Sequence, residues 1–188
     1  MGIKKRNSKN EIRIEIELPE GVEAKVEANA ILIKGKLGET KRDFLNKNVL
    51  FQCNEKSIVI STKGSSKNEK KMLGTIKAHL RNMISGVQNM HKYVLRICSG
   101  HFPMQVSFSG GELIIKNMLG EKTPRKTPIN KNVKIKIEGR DLTIESTDKE
   151  LAGETASRIE KLSARVGYDR RIFQDGIFIV NKDGKPVK

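Results

Sequence analysis

The chain has 188 residues, which is enough for one large domain or two small ones, and it carries a formal net charge of +15. This charge predicts a polyanionic partner. Because the sequence has no long apolar run, signal peptide or lipidation motif, we favour nucleic acid over a membrane and expect a cytoplasmic protein with no membrane partner. Aromatic residues make up only 4% of the chain, which favours binding through backbone charge and the shape of a folded nucleic acid over base stacking on several exposed rings.

Residues 1–10 are basic and aperiodic, and we interpret them as a flexible arm. Hydrophobic residues then alternate with charged ones from Ile12 to Leu18, which predicts a half-buried strand. Further short hydrophobic runs, separated by turn residues, are typical of a small antiparallel sheet. They lie at residues 24–28, 31–33, 49–53 and 58–61.

A change of period predicts a helix within residues 65–89, because hydrophobic residues recur there at steps of three and four. Either Ser66 or Asn68 can cap its start. The run at residues 93–98 predicts a strand that closes the first half, and it also stands where the second half needs an opening strand. The stripe of the helix consists of Met72, Ile76, Leu80, Met83 and Val87.

The second half of the chain repeats the first. Residues 31–39 match residues 113–121 at an offset of 82, and a second stripe with the same helical steps follows at an offset of 79. We therefore predict an α+β protein of two tandem duplicated domains, each a small, mostly antiparallel sheet packed on one helix. The predicted parts are the arm at 1–10, an N-terminal repeat at 11–97, a C-terminal repeat at 98–181 and a basic tail at 182–188. The second stripe consists of Leu151, Thr155, Ile159, Leu162 and Val166.

No motif predicts catalysis or a cofactor. His79, His91 and His101 lack acidic or cysteine partners at ligand spacing, and the two cysteines do not form a spaced metal pair. The glycine-rich segments match neither a P-loop nor a dinucleotide-binding fingerprint. We therefore expect that the protein is not an enzyme and that it holds no metal or cofactor.

A basic stretch at residues 116–136 carries seven basic residues against the single acid Glu121. Pro124 and Pro128 favour a stiff loop in its middle, which presents cations to phosphates at a low entropic cost. The alternative is an ordinary solvated loop. The residues of this stretch that we assign to a nucleic-acid interface are Lys122, Arg125 and Lys126.

The second predicted helix carries a basic face opposite its hydrophobic stripe. Arg158, Lys161 and Arg165 recur there at helical steps, and we assign them to the same interface. The alternative is a plain solvent-exposed face, because glutamates dilute the charge. A basic tail is expected to become ordered on the partner. Its interface residues are Lys182, Lys185 and Lys188.

The segment after the second helix combines charge with aromatic side chains. Tyr168, Arg170 and Arg171 supply a stacking ring and two groups that bind phosphate in a forked geometry. Ile172 and Phe173 are expected to pack this segment against the domain and so hold the arginines in place. An ordinary solvated loop is again the alternative.

Several strings, in their order and spacing, resemble one protein family. From about residue 11 to residue 182 the chain is similar to ribosomal protein six of the large subunit, in its archaeal/eukaryotic branch. Lys161 departs from this pattern, in which Gln is expected, and Asn89-Met90 stands where Gly-Phe is common. The strings are GT at 74–75, AHL at 78–80, NM at 82–83, HFPM at 101–104, LGEK at 119–122, PR at 124–125, GRDL at 139–142, DKE at 148–150 and RIFQDGI at 171–177.

The resemblance implies a fold of two duplicated domains without catalytic residues. It also implies binding to large-subunit rRNA, mainly through the C-terminal domain, near the sarcin–ricin loop and the translation-factor binding region. The implied partners are rRNA, neighbouring ribosomal proteins and translation factors nearby on the ribosome. The alternative is a free-standing RNA- or DNA-binding protein, which predicts a recognition helix or an exposed aromatic pair on a sheet; the sequence indicates neither.

Overall fold

The computed structural model of the chain divides into two compact units, Met1–Met90 and His91–Lys188, which we call the N-terminal and C-terminal units. Each unit consists of antiparallel sheets and one α-helix, which confirms the predicted α+β class and fits the predicted duplication. The predicted arm, Arg170 and Lys188 lie outside the described residues. The structure describes residues 11–27, 30–44, 49–54, 56–169 and 171–187.

The N-terminal unit contains two antiparallel three-stranded sheets, in the orders β1-β6-β5 and β2-β3-β4, and one long helix. In chain order its elements are β1 (Ile12–Glu17), β2 (Glu23–Glu27), β3 (Ala30–Gly35), β4 (Gly38–Asp43), β5 (Val49–Cys53), β6 (Ser57–Thr62) and α1 (Lys67–Gln88). The sequence pattern does not predict β4, because its residues are polar throughout and lack an alternating hydrophobic face.

The C-terminal unit repeats this plan with two additional strands at its end. Its sheets have the orders β10-β9-β8 and β11-β12-β7-β13-β14, and all neighbouring strands are antiparallel. Its elements are β7 (His91–Cys98), β8 (Gln105–Ser109), β9 (Glu112–Lys116), β10 (Arg125–Pro128), β11 (Lys134–Glu138), β12 (Asp141–Ser146), α2 (Lys149–Ser163), β13 (Gly176–Lys182) and β14 (Lys185–Pro186).

Strand β7 belongs to the C-terminal unit. It lies between β12 and β13, and its inward residues Leu95 and Ile97 are buried in the core of this unit. It therefore occupies beside β12 the place that β1 occupies beside β6. The predicted boundary between Ile97 and Cys98 consequently moves to between Met90 and His91. Of its two possible roles, the strand takes that of the opening strand of the second repeat.

Helix α1 begins at the predicted capping residue. The Ser66 Oγ accepts a hydrogen bond from the main-chain N–H of Glu69 at 3.3 Å, and the Ser66 N–H donates to the Glu69 carboxylate at 2.8 Å. The predicted hydrophobic stripe faces the core of the N-terminal unit. Met72 is partly buried, and the buried residues are Ile76, Leu80, Met83 and Val87.

Helix α2 ends earlier than its sequence pattern predicts. Asp148 caps its start, but its last residue is Ser163. The Ser163 Oγ accepts a hydrogen bond from the main-chain N–H of Ile177 at 2.9 Å, which ties the helix end to β13. Val166, the last member of the predicted stripe, therefore lies in the following loop, and its exposed fraction is 95%.

Two segments that we predict to be irregular are paired strands. The stretch predicted as a stiff loop contains β10, which occupies an edge of its sheet and ends at Pro128, where the missing N–H of proline costs no ladder hydrogen bond. The predicted tail forms a hairpin, because Lys185 pairs with Lys182 of β13 without the help of a partner molecule.

Candidate nucleic-acid interface

A side chain from β10 caps the C-terminal end of α2. The Arg125 Nη1 donates to the main-chain carbonyl oxygens of Leu162 and Ala164, at 2.6 and 3.0 Å. Its Nε and Nη2 donate to the two carboxylate oxygens of Glu121, both at 2.7 Å. These hydrogen bonds hold the pKa of Glu121 below its usual value. A cation at this position also offsets the partial negative charge at the end of the helix.

A row of stacked groups orders the chain that follows α2. The Arg165 guanidinium lies over the Tyr168 ring, 4.4 Å from its centroid. Tyr168 meets Phe173 in a T-shaped contact with 4.9 Å between the centroids, and Phe173 contacts the His101 ring at 5.1 Å. Cation–π and aromatic contacts of this kind fix ring orientation. These contacts therefore hold Arg165, Tyr168 and Phe173 against one another although Tyr168 is 40% exposed.

Asp175 anchors the end of this row to the loop after β7. Its carboxylate accepts hydrogen bonds from the main-chain N–H groups of Gly100 and His101, at 2.7 and 3.1 Å, and from the His101 Nδ1 at 2.5 Å. Burial acts to raise the pKa of Asp175, but the hydrogen bonds from His101 and Gly100 outweigh it and leave the pKa below its usual value. The carboxylate is therefore ionised at neutral pH, and all of these contacts are charge-assisted.

These groups border a cleft of about 280 Å³ beside the end of α2. Tyr168, Phe173 and Phe178 contribute its aromatic lining, which we call the aromatic wall. Helix α2 contributes polar side chains, among them those of Glu160 and Lys161. The cleft therefore combines flat apolar surfaces with charged groups in one place.

Most of the cations that we assign from the sequence are available to a phosphate. Arg171 pairs with Asp169 at 2.8 Å, but its side chain is still 90% exposed, and Arg158 pairs with the exposed Glu154. Exposed pairs contribute little to stability, so a phosphate can replace the carboxylate. The lysines that are exposed and form no ion pair within the described residues are Lys122, Lys126, Lys161, Lys182 and Lys185.

Comparisons with known proteins identify the family. The model of the family described as ribosomal protein L6 matches residues 18–90 and 102–176, one segment in each unit. The chain belongs to the ribosomal protein L6 family. The large ribosomal subunit protein uL6 of Methanococcus vannielii is 38% identical over 93% of this chain and 96% of its own length. The proteins of the same name from Methanobrevibacter smithii and Nanoarchaeum equitans are each 39% identical and cover 92% and 94% of this chain, and 97% and 96% of their own lengths.

Membership of the L6 family confirms the resemblance to its archaeal/eukaryotic branch. The chain is accordingly a structural ribosomal protein and not an enzyme, and it is located in the cytoplasmic ribosome. Within the described residues there is no group of three or more side chains that could hold a metal ion. None of the helices that the structure describes is long and apolar enough to cross a membrane.

The structure of this L6-family chain brings only part of the assigned set together. Lys161, Arg165 and Tyr168 line the cleft, and Arg125 lies behind it. Lys182 is six residues from the cleft end of β13, which is about 20 Å along a strand. Lys182 and its pairing partner Lys185 therefore lie at the opposite end of β13 and belong to a separate surface.

The surroundings of three side chains differ from the sequence-based prediction. Arg165 follows the end of α2, so it does not share a helix face with Arg158 and Lys161. Arg125 uses its guanidinium inside the unit, where every donor-bearing nitrogen has a protein acceptor. Ile172 is 63% exposed and does not pack against the unit, whereas Phe173 is partly buried in the aromatic row.

Sequence reasoning missed the acidic and aromatic residues that build the cleft. Asp175 lies in the string RIFQDGI at 171–177, two residues after Phe173. This proximity is the signal from which a structural role could have been predicted. Glu160 was counted only as a dilution of the basic helix face. Phe178 directly follows the buried Ile177 in β13, so its ring lies on the other face of the strand.

Proposed function

We propose that this protein is a component of the large ribosomal subunit and binds large-subunit rRNA mainly through its C-terminal unit. We place the contact near the sarcin–ricin loop and the translation-factor binding region, next to other ribosomal proteins. This finer placement follows from the family resemblance. The C-terminal unit is favoured because it carries the cleft and the ordered loop beside it.

The observation that carries the proposal is the composition of the loop after α2. Val166 and Ile172 are 95% and 63% exposed, although aromatic and hydrogen-bonded contacts fix the loop on either side of them. Large exposed apolar side chains in an ordered segment mark an interaction surface. Arg165 and Arg171 accompany them, and this combination of charge and apolar area suits a folded RNA.

Arg125 supports this surface without belonging to it. By holding the carbonyl oxygens of Leu162 and Ala164, it fixes the point where the chain leaves the helix. Glu121 joins the same group, because the Arg165 Nη1 lies 3.5 Å from its carboxylate. We therefore place Arg125 in a positioning role and leave the phosphate contacts to the exposed cations around it.

The salt dependence of rRNA binding tests the proposal. For each phosphate contact that is removed, the slope of log affinity against log salt should decrease in magnitude by about 0.7 to 0.9. We expect Lys161→Ala/Arg171→Ala, on protein-free large-subunit rRNA, to lose about two such contacts. Lys67→Ala/Lys71→Ala, which removes the same charge from two exposed positions of α1 in the N-terminal unit, is the matched control. If the control variant alone lowers the slope, the surface beside α2 is not the one that binds rRNA.

Co-sedimentation tests the assignment to the large subunit. The full-length protein should stay with large subunits through a high-salt wash and should form cross-links to rRNA from the loop after α2. Release of the protein in that wash, or cross-links confined to the N-terminal unit, would contradict the proposal.

A further inference from the structure

The cleft beside α2 has the dimensions and lining of a site for a single flat ring system. Its volume of about 280 Å³ lies just below the range of pockets for drug-sized ligands, which starts at about 300 Å³. Tyr168, Phe173 and Phe178 supply apolar ring surfaces, and proteins recognise unstacked RNA bases by stacking them on such rings. The cations Lys161 and Arg165 at its edge suit the phosphates on either side of the inserted base.

Glu160 supplies a hydrogen-bond acceptor in this cleft. One of its carboxylate oxygens accepts a hydrogen bond from the main-chain N–H of Ile179 at 3.2 Å, which fixes the side chain at the cleft wall. The other oxygen has no hydrogen-bond partner, and the carboxylate forms no ion pair, within the described part of the chain. This second oxygen is not among the buried atoms without a partner, so it is accessible. A ligand in the cleft can therefore donate a hydrogen bond to it.

The other carboxylate at the cleft, that of Asp175, is not available in this way. Both of its oxygens accept hydrogen bonds from the loop at Gly100 and His101. The two acids therefore have separate tasks, since Asp175 holds the cleft together and Glu160 faces a ligand.

Gly176 keeps the aromatic wall in place. A Cβ at this position would lie 3.0 Å from the tip of the Phe178 ring, so the ring would have to shift by a few tenths of an ångström. The absence of a side chain allows the ring to lie over the start of β13, where it lines the cleft and stays 40% exposed. A half-exposed ring next to an acceptor is the arrangement that recognises both the face and the edge of a base.

We propose that this cleft binds one guanine that is unstacked from the large-subunit rRNA, and this inference rests on the proposed function. Guanine carries N1–H and N2–H donors side by side on its Watson–Crick edge, which match the two oxygens of a carboxylate. The oxygen that accepts from Ile179 can take part as well, because each carboxylate oxygen accepts up to two hydrogen bonds. Adenine and cytosine each offer only one exocyclic amino group on that edge, and uracil only one imino group. The base stacks against the aromatic wall, donates to Glu160, and leaves its phosphates to Lys161 and Arg165.

Chemical probing with kethoxal, which reacts with N1 and N2 of unpaired guanines, tests this inference. The probe is protein-free large-subunit rRNA, modified alone and in the presence of the full-length protein. Glu160→Gln keeps the acceptor for Ile179 but presents an amide donor to the base. Glu154→Gln, on the same helix but in an exposed pair with Arg158, is the matched control. Phe178→Ala removes part of the wall, and Phe108→Ala, with a similar exposure of 42%, is its control.

We expect the unaltered protein to protect one guanine that both Glu160→Gln and Phe178→Ala leave reactive, while both controls still protect it. Affinity should fall about tenfold or more in each cleft variant. Protection that survives Glu160→Gln, or a protected adenine or cytosine in its place, overturns the guanine site while leaving the proposed function intact. If the unaltered protein does not bind the rRNA at all, the proposed function itself fails.

Discussion

The two units begin from the same repeat but end their helices differently. Helix α1 has 22 residues and closes with a hydrogen bond from the main-chain N–H of Asn89 to the carbonyl oxygen of Ser85. Helix α2 has 15 residues, and the chain then runs through the loop that lines the cleft before it returns as β13. The additional strands β13 and β14 and the shortened helix therefore frame one loop, which carries the candidate interface.

One strand position shows how this difference arises. Ile33 and Ile115 are equivalent in the repeat; Ile33 pairs with Thr40 of β4, and Ile115 pairs with Arg125 of β10. In the N-terminal unit the Thr40 hydroxyl is buried and has no hydrogen-bond partner among the described residues. In the C-terminal unit the longer side chain reaches the end of α2. A substitution at one register position thus creates a helix cap in one repeat only.

The largest expected effect concerns the boundary between the units. A fragment of residues 91–188 should fold, because it retains β7 between β12 and β13, whereas a fragment of residues 98–188 should not. Loss of β7 leaves main-chain N–H and carbonyl groups of β12 and β13 without hydrogen-bond partners. It also exposes the core around Leu95. NMR spectra of the two fragments, recorded under identical conditions, distinguish these outcomes. A well-dispersed spectrum from the shorter fragment would restore the sequence-predicted boundary.

Arg125→Ala should destabilise the C-terminal unit by about 3 kcal/mol, because Glu121 and two helix-end carbonyl groups lose their donor. Arg125→Lys should recover only part of this, since an ammonium group lacks the fork geometry. Urea unfolding followed by tyrosine fluorescence measures the free energy of unfolding of the C-terminal unit. Both tyrosines of the chain, Tyr93 and Tyr168, lie in this unit.

The matched control is Lys126→Ala, at the next position of the same strand, where the exposed side chain makes no contact that the cap requires. We expect its stability to change by less than about 0.5 kcal/mol. Equal losses in the two variants would show that β10 tolerates no truncation and that capping by Arg125 is not the cause.

The clamp formed by Asp175 should make the C-terminal unit sensitive to acid. The pKa of Asp175 is lower in the folded state than in the unfolded chain, so its contribution is full above about pH 4 and is lost as the pH falls through the folded-state value. Asp175→Asn should therefore lower stability near pH 7 and flatten its decline below about pH 4. Glu138→Gln removes an exposed carboxylate of the same unit that forms no ion pair within the described residues, and it should leave that decline almost unchanged. A decline of full size in Asp175→Asn would assign the acid sensitivity to other carboxylates.

Elements with a strong hydrophobic period could be predicted from the sequence. Elements whose ends or pairing depend on a specific tertiary contact could not. The stripe of α1, the first four members of the α2 stripe and the duplication follow from spacing alone, and Ser66, one of two candidate caps, caps α1. The early end of α2 depends on Ser163 bonding to a residue 14 positions later, which no local pattern records. Strand β10 likewise forms because β9 offers an edge, although its prolines favour a loop.

The candidate interface was predictable in its charge but not in its geometry. Basic residues were found by composition, yet composition does not separate Arg125, which is engaged inside the unit, from Lys161, which is exposed. The cleft depends on where Glu160 and Phe178 meet the loop, and these residues come from a helix and a strand that no motif connects. Distant parts of the chain come together there only through the packing of α2 on the sheet.

The smallest expected effect returns to the register position that separates the two units. Thr40→Val should stabilise the N-terminal unit by about 1 kcal/mol, because it removes a buried hydroxyl without a partner and keeps the shape of the side chain. Thr62→Val is the matched control, since this buried hydroxyl donates to the Gly64 carbonyl oxygen at 2.9 Å, and its loss should destabilise the same unit by a similar amount. Native-state hydrogen exchange of the α1 amides reports these changes, while tyrosine fluorescence, which senses only the C-terminal unit, should not move. If both variants lower the protection of the α1 amides, the Thr40 hydroxyl has a hydrogen-bond partner in solution. The difference between Thr40 and Arg125 at this register position is then not one between an unsatisfied and a satisfied group.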